Sequence, residues 1–136
     1  MNSINTPEVI KVRGIVISGV RESKLFTEIP WVRGQFIDKL GINPYPGTFN
    51  ISVLSEDREG LNIIRNTKGV EIIPEDINYC AAYSFSAVVN GRIRGAVLIP
   101  LVPDYPSDQL EIISSEHIKQ SLSLKDGDLA EVEIHL

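Results

Sequence analysis

The sequence predicts a mainly β, single-domain protein whose strands close into a Greek-key barrel with two or three short helices. Three observations support this prediction. β-branched and aromatic residues concentrate in six or seven short runs. An Asn-Gly pair at residues 90–91 joins two of the longest runs, as in a tight hairpin. No internal repeat, low-complexity tract or long linker divides the 136 residues, and a closed barrel hides the edges of so many strands.

The N-terminal third predicts a strand, a loop and a helix. Residues 8–18 are rich in Val and Ile and form the first predicted strand, which runs into a loop at residues 19–24. Pro30 suits the first turn of a helix. Apolar residues then recur at near-helical spacing until Gly41 ends the helix.

The segment that follows combines a stiff turn with a strand of alternating polarity. Two prolines make residues 43–47 a rigid turn. Residues 48–54 alternate apolar and polar side chains, so that Thr48 and Asn50 share one face of a strand. A hydroxyl and an amide oxygen are hard ligands that suit Mg²⁺ beside nucleotide phosphates. The alternative is a proline-braced turn that opens an ordinary strand.

The middle of the chain predicts one hairpin after a polar stretch. Residues 55–69 are polar with one helical turn at residues 61–64, and residues 70–74 form a short strand. Residues 79–89 and 92–102 are the two arms of the hairpin.

The C-terminal part predicts two strands around a short helix. Residues 109–113 form a strand, and residues 115–122 form a helix capped by Ser115. A turn at residues 125–128 leads into a last strand at residues 130–136.

Composition narrows the classes of function. A net charge of −5 and a pI of about 5.0 argue against nucleic-acid binding. One cysteine, Cys80, excludes an internal disulfide, and it is expected in the core because its strand is apolar. Residues 1–6 are expected to be a flexible N-terminus without a secretory signal, and no apolar run could span a membrane. We expect one cytoplasmic domain over residues 1–136, with no membrane, nucleic-acid or obligate protein partner.

Residues 43–51, NPYPGTFNI, resemble the P-Y-x-G-T-L-N-L segment of the archaeal CTP-dependent riboflavin kinases. The preceding GIVISGVRESKLFTEIPW resembles the first strand and nucleotide loop of that family. RGAVLIP, LEII and LKDGD resemble later segments in the same order, and only residues 56–78 are hard to match. The resemblance implies a six-stranded cradle-loop β-barrel that transfers the γ-phosphoryl group of CTP to the 5′-hydroxyl of riboflavin, giving FMN and CDP.

The resemblance also implies site residues. Thr48 and Asn50 match the metal ligands of the family, and the metal is Mg²⁺. Two segments match the parts that contact the nucleotide: Gly19, Val20, Arg21, Glu22, Ser23, Lys24, and Glu116, His117, Ile118, Lys119. Lys119 is the expected phosphate-neutralising charge of the second segment. The alternatives are a solvated loop of mixed charge for the first segment and a plain helix-surface residue for His117.

The flavin side of the resemblance involves Pro103, Tyr105 and Glu111. Glu111 matches a family glutamate and is the expected catalytic residue, which positions the acceptor hydroxyl or accepts its proton. Its alternative is an exposed strand glutamate. Pro103 stands where the family commonly has a threonine that bonds the flavin, and proline has no hydroxyl or N–H for that contact. Tyr105 has the shape to stack on the isoalloxazine ring, or is an exposed loop residue.

Two rival functions remain open at the level of sequence. The first is a non-catalytic flavin- or nucleotide-binding module on the same barrel, suggested by Pro103 and by a loop with one glycine, Gly19. The second is a barrel used for assembly or DNA contact, since small barrels host unrelated functions. The sequence contains neither a Walker P-loop nor a protein-kinase glycine loop with its lysine strand.

Overall fold

A computed structural model describes residues 8–19 and 22–136 of the chain. The predicted flexible terminus at residues 1–6 lies outside the described residues, and the extent of the single domain stays a prediction. Within the described part, seven strands and four α-helices follow one another in this order: β1 (Val9–Ile17), α1 (Glu22–Glu28), α2 (Pro30–Leu40), β2 (Phe49–Val53), a 3-10 turn (Ser55–Asp57), α3 (Arg58–Arg65), β3 (Val70–Ile72), β4 (Ala82–Val89), β5 (Ile93–Pro100), β6 (Gln109–Ile113), α4 (Ile118–Ser121) and β7 (Leu129–His135).

Six of the strands close into an antiparallel barrel in the order β4, β5, β6, β2, β1, β7. The ring closes where Ala87 of β4 pairs with Ile134 of β7. β3 lies outside the ring and pairs with the start of β4, where Val70 faces Ser84. The same edge of β4 therefore serves β3 and then β7, so that little strand edge is left unpaired. The predicted mainly β, closed six-stranded barrel is confirmed.

Alternating side chains fill the barrel. In β1 the residues Ile10, Val12 and Val16 point inward and are buried, while their neighbours are exposed or half-buried. A second apolar cluster lies outside the barrel wall, where Val32 and Phe36 of α2 pack against β3, β5 and β6. Burying a large apolar side chain stabilises a fold by about 1.5–3 kcal/mol. The helix thus covers one outer face of the sheet.

The ends of α2 and the central hairpin follow the sequence prediction. Pro30 occupies the first turn of α2, and Gly41 ends it with a left-handed φ of 68°. Asn90 and Gly91 have φ values of 50° and 66°, which are the positive values that a type I′ turn requires. Both features depend on local backbone preferences, and for that reason the sequence discloses them.

Two helical predictions were wrong. The predicted loop at residues 19–24 becomes helical at Glu22, the first residue of α1. The single turn at residues 61–64 is part of the longer helix α3, whose Leu61 and Ile64 are buried. Packing of these two side chains on the barrel stabilises a helix that its polar sequence alone does not indicate. The described residues therefore contain more helices than the two or three predicted.

Two residue placements were also wrong. Cys80 is exposed, because β4 begins only at Ala82 and the segment before it runs outside the sheet. Ser115 does not cap α4. The cap is His117, whose Nδ1 accepts the N–H of Gln120 at 3.1 Å. None of the helices in the described part of the chain combines the length and apolar character needed to cross a membrane.

Candidate active site

Two hydrogen bonds fix the double-proline turn at residues 43–47, one at its middle and one at its end. The N–H of Tyr45 donates to the carbonyl oxygen of Ser114 at 2.7 Å, just beyond β6. The N–H of Gly47 donates to Oγ1 of Thr27 at 2.8 Å. Thr27 is fully buried in α1 and donates in turn to the carbonyl oxygen of Lys24 at 2.9 Å. The turn is therefore held between the sheet and α1, which fixes where β2 begins.

Thr48 and Asn50 lie together at the start of β2. The side-chain nitrogen of Asn50 is 3.0 Å from Oγ1 of Thr48 and 3.0 Å from its carbonyl oxygen. Asn50 is 2% exposed, and its Oδ1 accepts from Nε2 of Gln109 at 3.4 Å. The structure thus brings the two predicted metal ligands into contact, with Asn50 held from two sides.

The spacing of these groups fits a small hard cation. Magnesium ligands at about 2.1 Å place neighbouring octahedral positions about 3.0 Å apart. The Thr48 hydroxyl and the end of the Asn50 amide have that separation, and a half-turn of the amide presents its oxygen instead of its nitrogen. A carboxylate oxygen of Glu111 lies 3.2 Å from the same hydroxyl. The Thr48 hydroxyl is therefore the point that both the Asn50 amide and the Glu111 carboxylate contact.

A cleft of about 80 Å³ opens beside this point. It gathers residues from the end of β1, the double-proline turn, β2, β6 and the start of α4. Of the predicted nucleotide-binding residues it contains Gly19, Glu116, His117, Ile118 and Lys119, together with both predicted metal ligands. Segments separated by about a hundred positions in sequence thus share one cavity.

Gly19 packs directly against Asn50. A β-carbon at Gly19 would lie 2.3 Å from the Asn50 side-chain nitrogen and 3.7 Å from the Thr48 carbonyl oxygen. Real β-carbons do not approach so closely, so a larger residue would displace the Asn50 amide. Gly19, which the resemblance assigns to the nucleotide loop, therefore also leaves the space that the Asn50 side chain fills.

The ammonium group of Lys119 is engaged by a carboxylate that the sequence did not indicate. Nζ of Lys119 lies 2.6 Å from one oxygen of Asp126, and the hydroxyl of Ser18 donates to the other oxygen at 2.5 Å. The hydrogen bond from Lys119, followed by that from Ser18, lowers the pKa of Asp126. Lys119 of α4 thus lines the cleft with its ammonium group held by Asp126, which Ser18 at the end of β1 also contacts.

His117 is exposed, and besides capping α4 it contacts an aromatic residue of the turn. Its ring meets the ring of Tyr45 edge to face, with centroids 5.2 Å apart. Both side chains line the cleft. Sequence reasoning named His117 but not Tyr45, although Tyr45 stands inside the quoted motif.

The first predicted nucleotide segment is only partly described. Val20 and Arg21 lie outside the described residues, as do the side chains of Glu22 and Ser23. Lys24 is exposed on α1. The structure therefore places Gly19 in the cleft and leaves the contacts of Val20, Arg21, Glu22 and Ser23 as predictions.

Glu111 stands opposite Asn50 in the pairing of β6 with β2. One of its carboxylate oxygens accepts from Oγ1 of Thr48 at 3.2 Å, and the other accepts from the hydroxyl of Tyr105. The side chain is half-buried, so the alternative of an exposed strand glutamate is wrong. Burial, followed by the nearby Glu111 carboxylate, raises the pKa of Tyr105, which keeps its hydroxyl a proton donor.

A larger, mainly apolar hollow of about 540 Å³ has Glu111 among its lining residues. Phe26, Trp31 and Tyr79 form an aromatic cluster there, with ring centroids 5.6–6.3 Å apart. Sequence reasoning missed this hollow, because its walls come from α1, β4, β5 and the segment before β4. Its lining residues are Leu25, Phe26, Asp76, Asn78, Tyr79, Cys80, Ala82, Leu98, Pro100 and Glu111.

The two other predicted flavin residues line a neighbouring hollow of about 360 Å³. Pro103 and Tyr105 share this hollow with Arg65, and Pro100 separates it from the apolar one. The structure therefore joins Tyr105 to Glu111 through a hydrogen bond but does not bring Pro103 into the hollow that Glu111 lines.

Comparison with known proteins decides the family. The family model of the CTP-dependent riboflavin kinases, described as domain of unknown function DUF120, matches residues 16–134. The chain belongs to this family. The family predicted from residues 43–51 is therefore confirmed, and with it the assignment to a family of kinases.

Individual riboflavin kinases of archaea support the same conclusion. The chain is 38% identical to the riboflavin kinase of Archaeoglobus fulgidus over 130 residues, which are 93% of this chain and 55% of that protein. It is 30% identical to that of Saccharolobus solfataricus over 131 residues, covering 93% and 75%. It is 33% identical to that of Sulfurisphaera tokodaii over 134 residues, covering 95% and 98%. The chain thus spans about half of the first relative and almost all of the third.

Proposed function

We propose that this chain transfers the γ-phosphoryl group of CTP to the 5′-hydroxyl of riboflavin, giving FMN and CDP. One observation carries the proposal beyond family membership. Glu111 contacts Thr48 in the small polar cleft and also lines the large apolar hollow. A phosphoryl donor bound in the cleft and a phosphoryl acceptor bound in the hollow would therefore meet at the Glu111 carboxylate.

The cleft suits the triphosphate of the nucleotide. Lys119 supplies a fixed positive charge, and Gly19 makes room for the Asn50 amide. Thr48 and Asn50 would hold Mg²⁺, which when bound supplies positive charge that offsets the negative charge of the phosphates.

The hollow suits the flavin. Its aromatic and aliphatic lining, including Phe26 and Tyr79, matches the flat apolar faces of an isoalloxazine ring. Glu111 at its margin accepts hydrogen bonds from a hydroxyl at each oxygen, so it has the geometry to accept one from the end of the ribityl chain. Riboflavin bound in this way would direct its primary hydroxyl toward Thr48.

The reaction needs a positioned hydroxyl more than a strong base. The 5′-oxygen of riboflavin forms a bond to the γ-phosphorus, while the bond from that phosphorus to the β–γ bridging oxygen breaks. CDP leaves with the bridging oxygen. The hydroxyl proton passes to the Glu111 carboxylate and from there to solvent. Holding the two reactants in line supplies much of the rate enhancement.

Product analysis tests the proposal. The purified protein, incubated with CTP, Mg²⁺ and riboflavin, is expected to form FMN and CDP in equal amounts, separated by chromatography. ATP in place of CTP tests nucleotide choice, and EDTA tests the metal. Absence of FMN with every nucleoside triphosphate would contradict the proposal. Binding of riboflavin or CTP in calorimetry without turnover would favour the alternative of a non-catalytic binding module.

A further inference from the structure

The carboxylate of Glu111 is oriented by two hydroxyl groups. Thr48 donates to one oxygen from the position just before β2, and Tyr105 donates to the other from the loop of residues 101–108. A carboxylate with one such contact can still rotate about its last bond, whereas two contacts from different directions fix its plane. The position of Tyr105 therefore matters for the direction in which Glu111 points.

Tyr105 is itself held in place by Arg65, a residue of α3. The Arg65 guanidinium carbon lies 5.5 Å from the centre of the Tyr105 ring. The same side chain donates to the carbonyl oxygens of Pro106 at 2.5 Å and Gln109 at 3.2 Å. Arg65 thus fastens both the ring and the end of the loop that carries it.

We propose that Tyr105, held by Arg65, is a positioning residue that orients Glu111 toward the acceptor hydroxyl. This inference rests on the proposed function, because the hydroxyl that Glu111 would position is that of riboflavin in the proposed reaction. Burial, followed by the charge of Glu111, raises the pKa of Tyr105, so its hydroxyl keeps the proton that it donates.

The competing role for Tyr105 is direct stacking on the flavin ring. Against it, Tyr105 lines the hollow that contains Pro103 and Arg65, while Glu111 lines the hollow with Phe26 and Tyr79. The group of Tyr105 that reaches Glu111 is the hydroxyl and not the ring face. Comparison of two variants therefore distinguishes the two roles. Tyr105→Phe removes only the hydroxyl, whereas Tyr105→Leu removes the ring.

The kinetic test compares Tyr105→Phe with wild type at saturating CTP and Mg²⁺. We expect kcat to fall about tenfold, the order expected for a lost hydrogen bond to a charged group, with the KM for riboflavin within about twofold. Tyr83→Phe, a hydroxyl removed from β4, is the matched control and is expected to leave both constants unchanged. Unchanged kcat in Tyr105→Phe combined with a raised KM in Tyr105→Leu would overturn the proposal in favour of stacking.

A double-mutant cycle tests whether Tyr105 acts through Glu111. In kcat, Tyr105→Phe is expected to have little effect once Glu111→Gln is present, because the group that it positions is already changed. Equal effects of Tyr105→Phe in both backgrounds would overturn the proposal. The same cycle is measured on urea unfolding midpoints, which do not depend on catalysis. If the two substitutions are coupled in their effects on the urea midpoint but the wild type is inactive, the proposed function has failed and the positioning role fails with it. If the wild type is active and the two substitutions are coupled in the urea midpoint but not in kcat, the positioning role alone is overturned.

Discussion

At the scale of single residues, the site depends on groups that are short and closely packed. Thr48, Asn50 and Gly19 fit together within contact distance, so each leaves little freedom to the others. The Thr48 hydroxyl, the Asn50 amide and the missing side chain of Gly19 each affect which ligand the cleft can bind. Substitutions that change a single functional group should therefore differ in their effects on ligand binding and stability.

Thr48→Val replaces the hydroxyl with a methyl group of similar size. We expect it to remove the Mg²⁺-dependent part of CTP binding, because one oxygen ligand is lost, and to lower kcat at least tenfold. Calorimetric titration with CTP, with and without Mg²⁺, measures the difference. Ser52→Ala is the control, since Ser52 lies on the same strand and donates to Asp108 instead. Equal Mg²⁺ dependence in Thr48→Val and wild type would contradict the assignment.

Two glycine substitutions should act in opposite directions. Gly19→Ala forces a β-carbon against Asn50, so we expect it to destabilise the fold by about 1–3 kcal/mol and to weaken CTP binding. Gly34→Ala in α2 meets no atom within 4 Å and should stabilise the fold by about 0.5–1 kcal/mol, because alanine favours a helix. Urea unfolding measures both. A stable Gly19→Ala variant with normal CTP affinity would show that Asn50 can move freely.

At the scale of elements, side-chain bonds fix the short helices to the barrel. Thr27 joins α1 to the double-proline turn, Lys119 joins α4 to Asp126, and Arg65 joins α3 to the loop before β6. The links of Thr27 and Arg65 span 20 and 41 positions of sequence, and each of the three links ends at a wall of the cleft or of the hollow beside it. The helices therefore contribute to the site by fixing the surrounding segments.

Thr27→Val should loosen the turn while keeping the volume of the buried side chain. It leaves the half-buried N–H of Gly47 without its acceptor, a loss that costs about 1–3 kcal/mol for a fully buried group and less here. We expect lower stability in urea unfolding together with weaker binding of CTP. Thr67→Val is the control, because Thr67 also donates to a helix carbonyl but lies at the end of α3. A loss of stability without any change in CTP affinity would separate Thr27 from the site.

Asp57 should make the fold sensitive to acid. Hydrogen bonds from the side chain and backbone N–H of Arg13 lower the pKa of Asp57 below its ordinary value. Its contribution is therefore present above the unfolded pKa of about 3.9 and is lost as pH falls through the lower folded pKa. Asp57→Asn should reduce the urea midpoint at about pH 6, and the difference from wild type should shrink toward about pH 2. Asp38→Asn, on an exposed position of α2, is the control. A difference independent of pH would contradict this account.

At the scale of the whole molecule, the barrel brings together what the sequence separates. The strand order β4, β5, β6, β2, β1, β7 places β2 beside both β1 and β6. Thr48 and Asn50 therefore stand between Gly19 at the end of β1 and Glu111 in β6. Thr48 and Asn50 line the cleft, and Glu111 lines the apolar hollow. We regard the contact between Thr48 in the cleft and Glu111 in the hollow as the basis of the function.

Local signals made the barrel and part of the site predictable from the sequence. The Asn90-Gly91 turn, the ends of α2 and the alternation of residues 48–54 each depend on a few adjacent residues. The motif at residues 43–51 then pointed to Thr48 and Asn50. The strands, the motif at residues 43–51 and the family could therefore be predicted from the sequence.

The remaining features depend on packing between distant segments. The contact of Tyr105 with Glu111 depends on how the loop before β6 folds back, and Arg65 reaches that loop from α3. The hollow around Phe26 and Tyr79 likewise combines α1 with the segment before β4. No local pattern indicates such contacts, and the exposed Cys80 was misplaced for the same reason.

The most direct test of the central claim is the single-turnover rate of Glu111→Gln at saturating CTP, Mg²⁺ and riboflavin, with the affinities of both substrates measured by calorimetry. Glutamine keeps the shape but removes the charge that accepts the proton. We predict a rate lower by about a hundredfold, as for loss of a positioned general base, with both affinities within a few-fold of wild type. A variant that phosphorylates riboflavin as fast as wild type would contradict the claim that the two cavities function through Glu111.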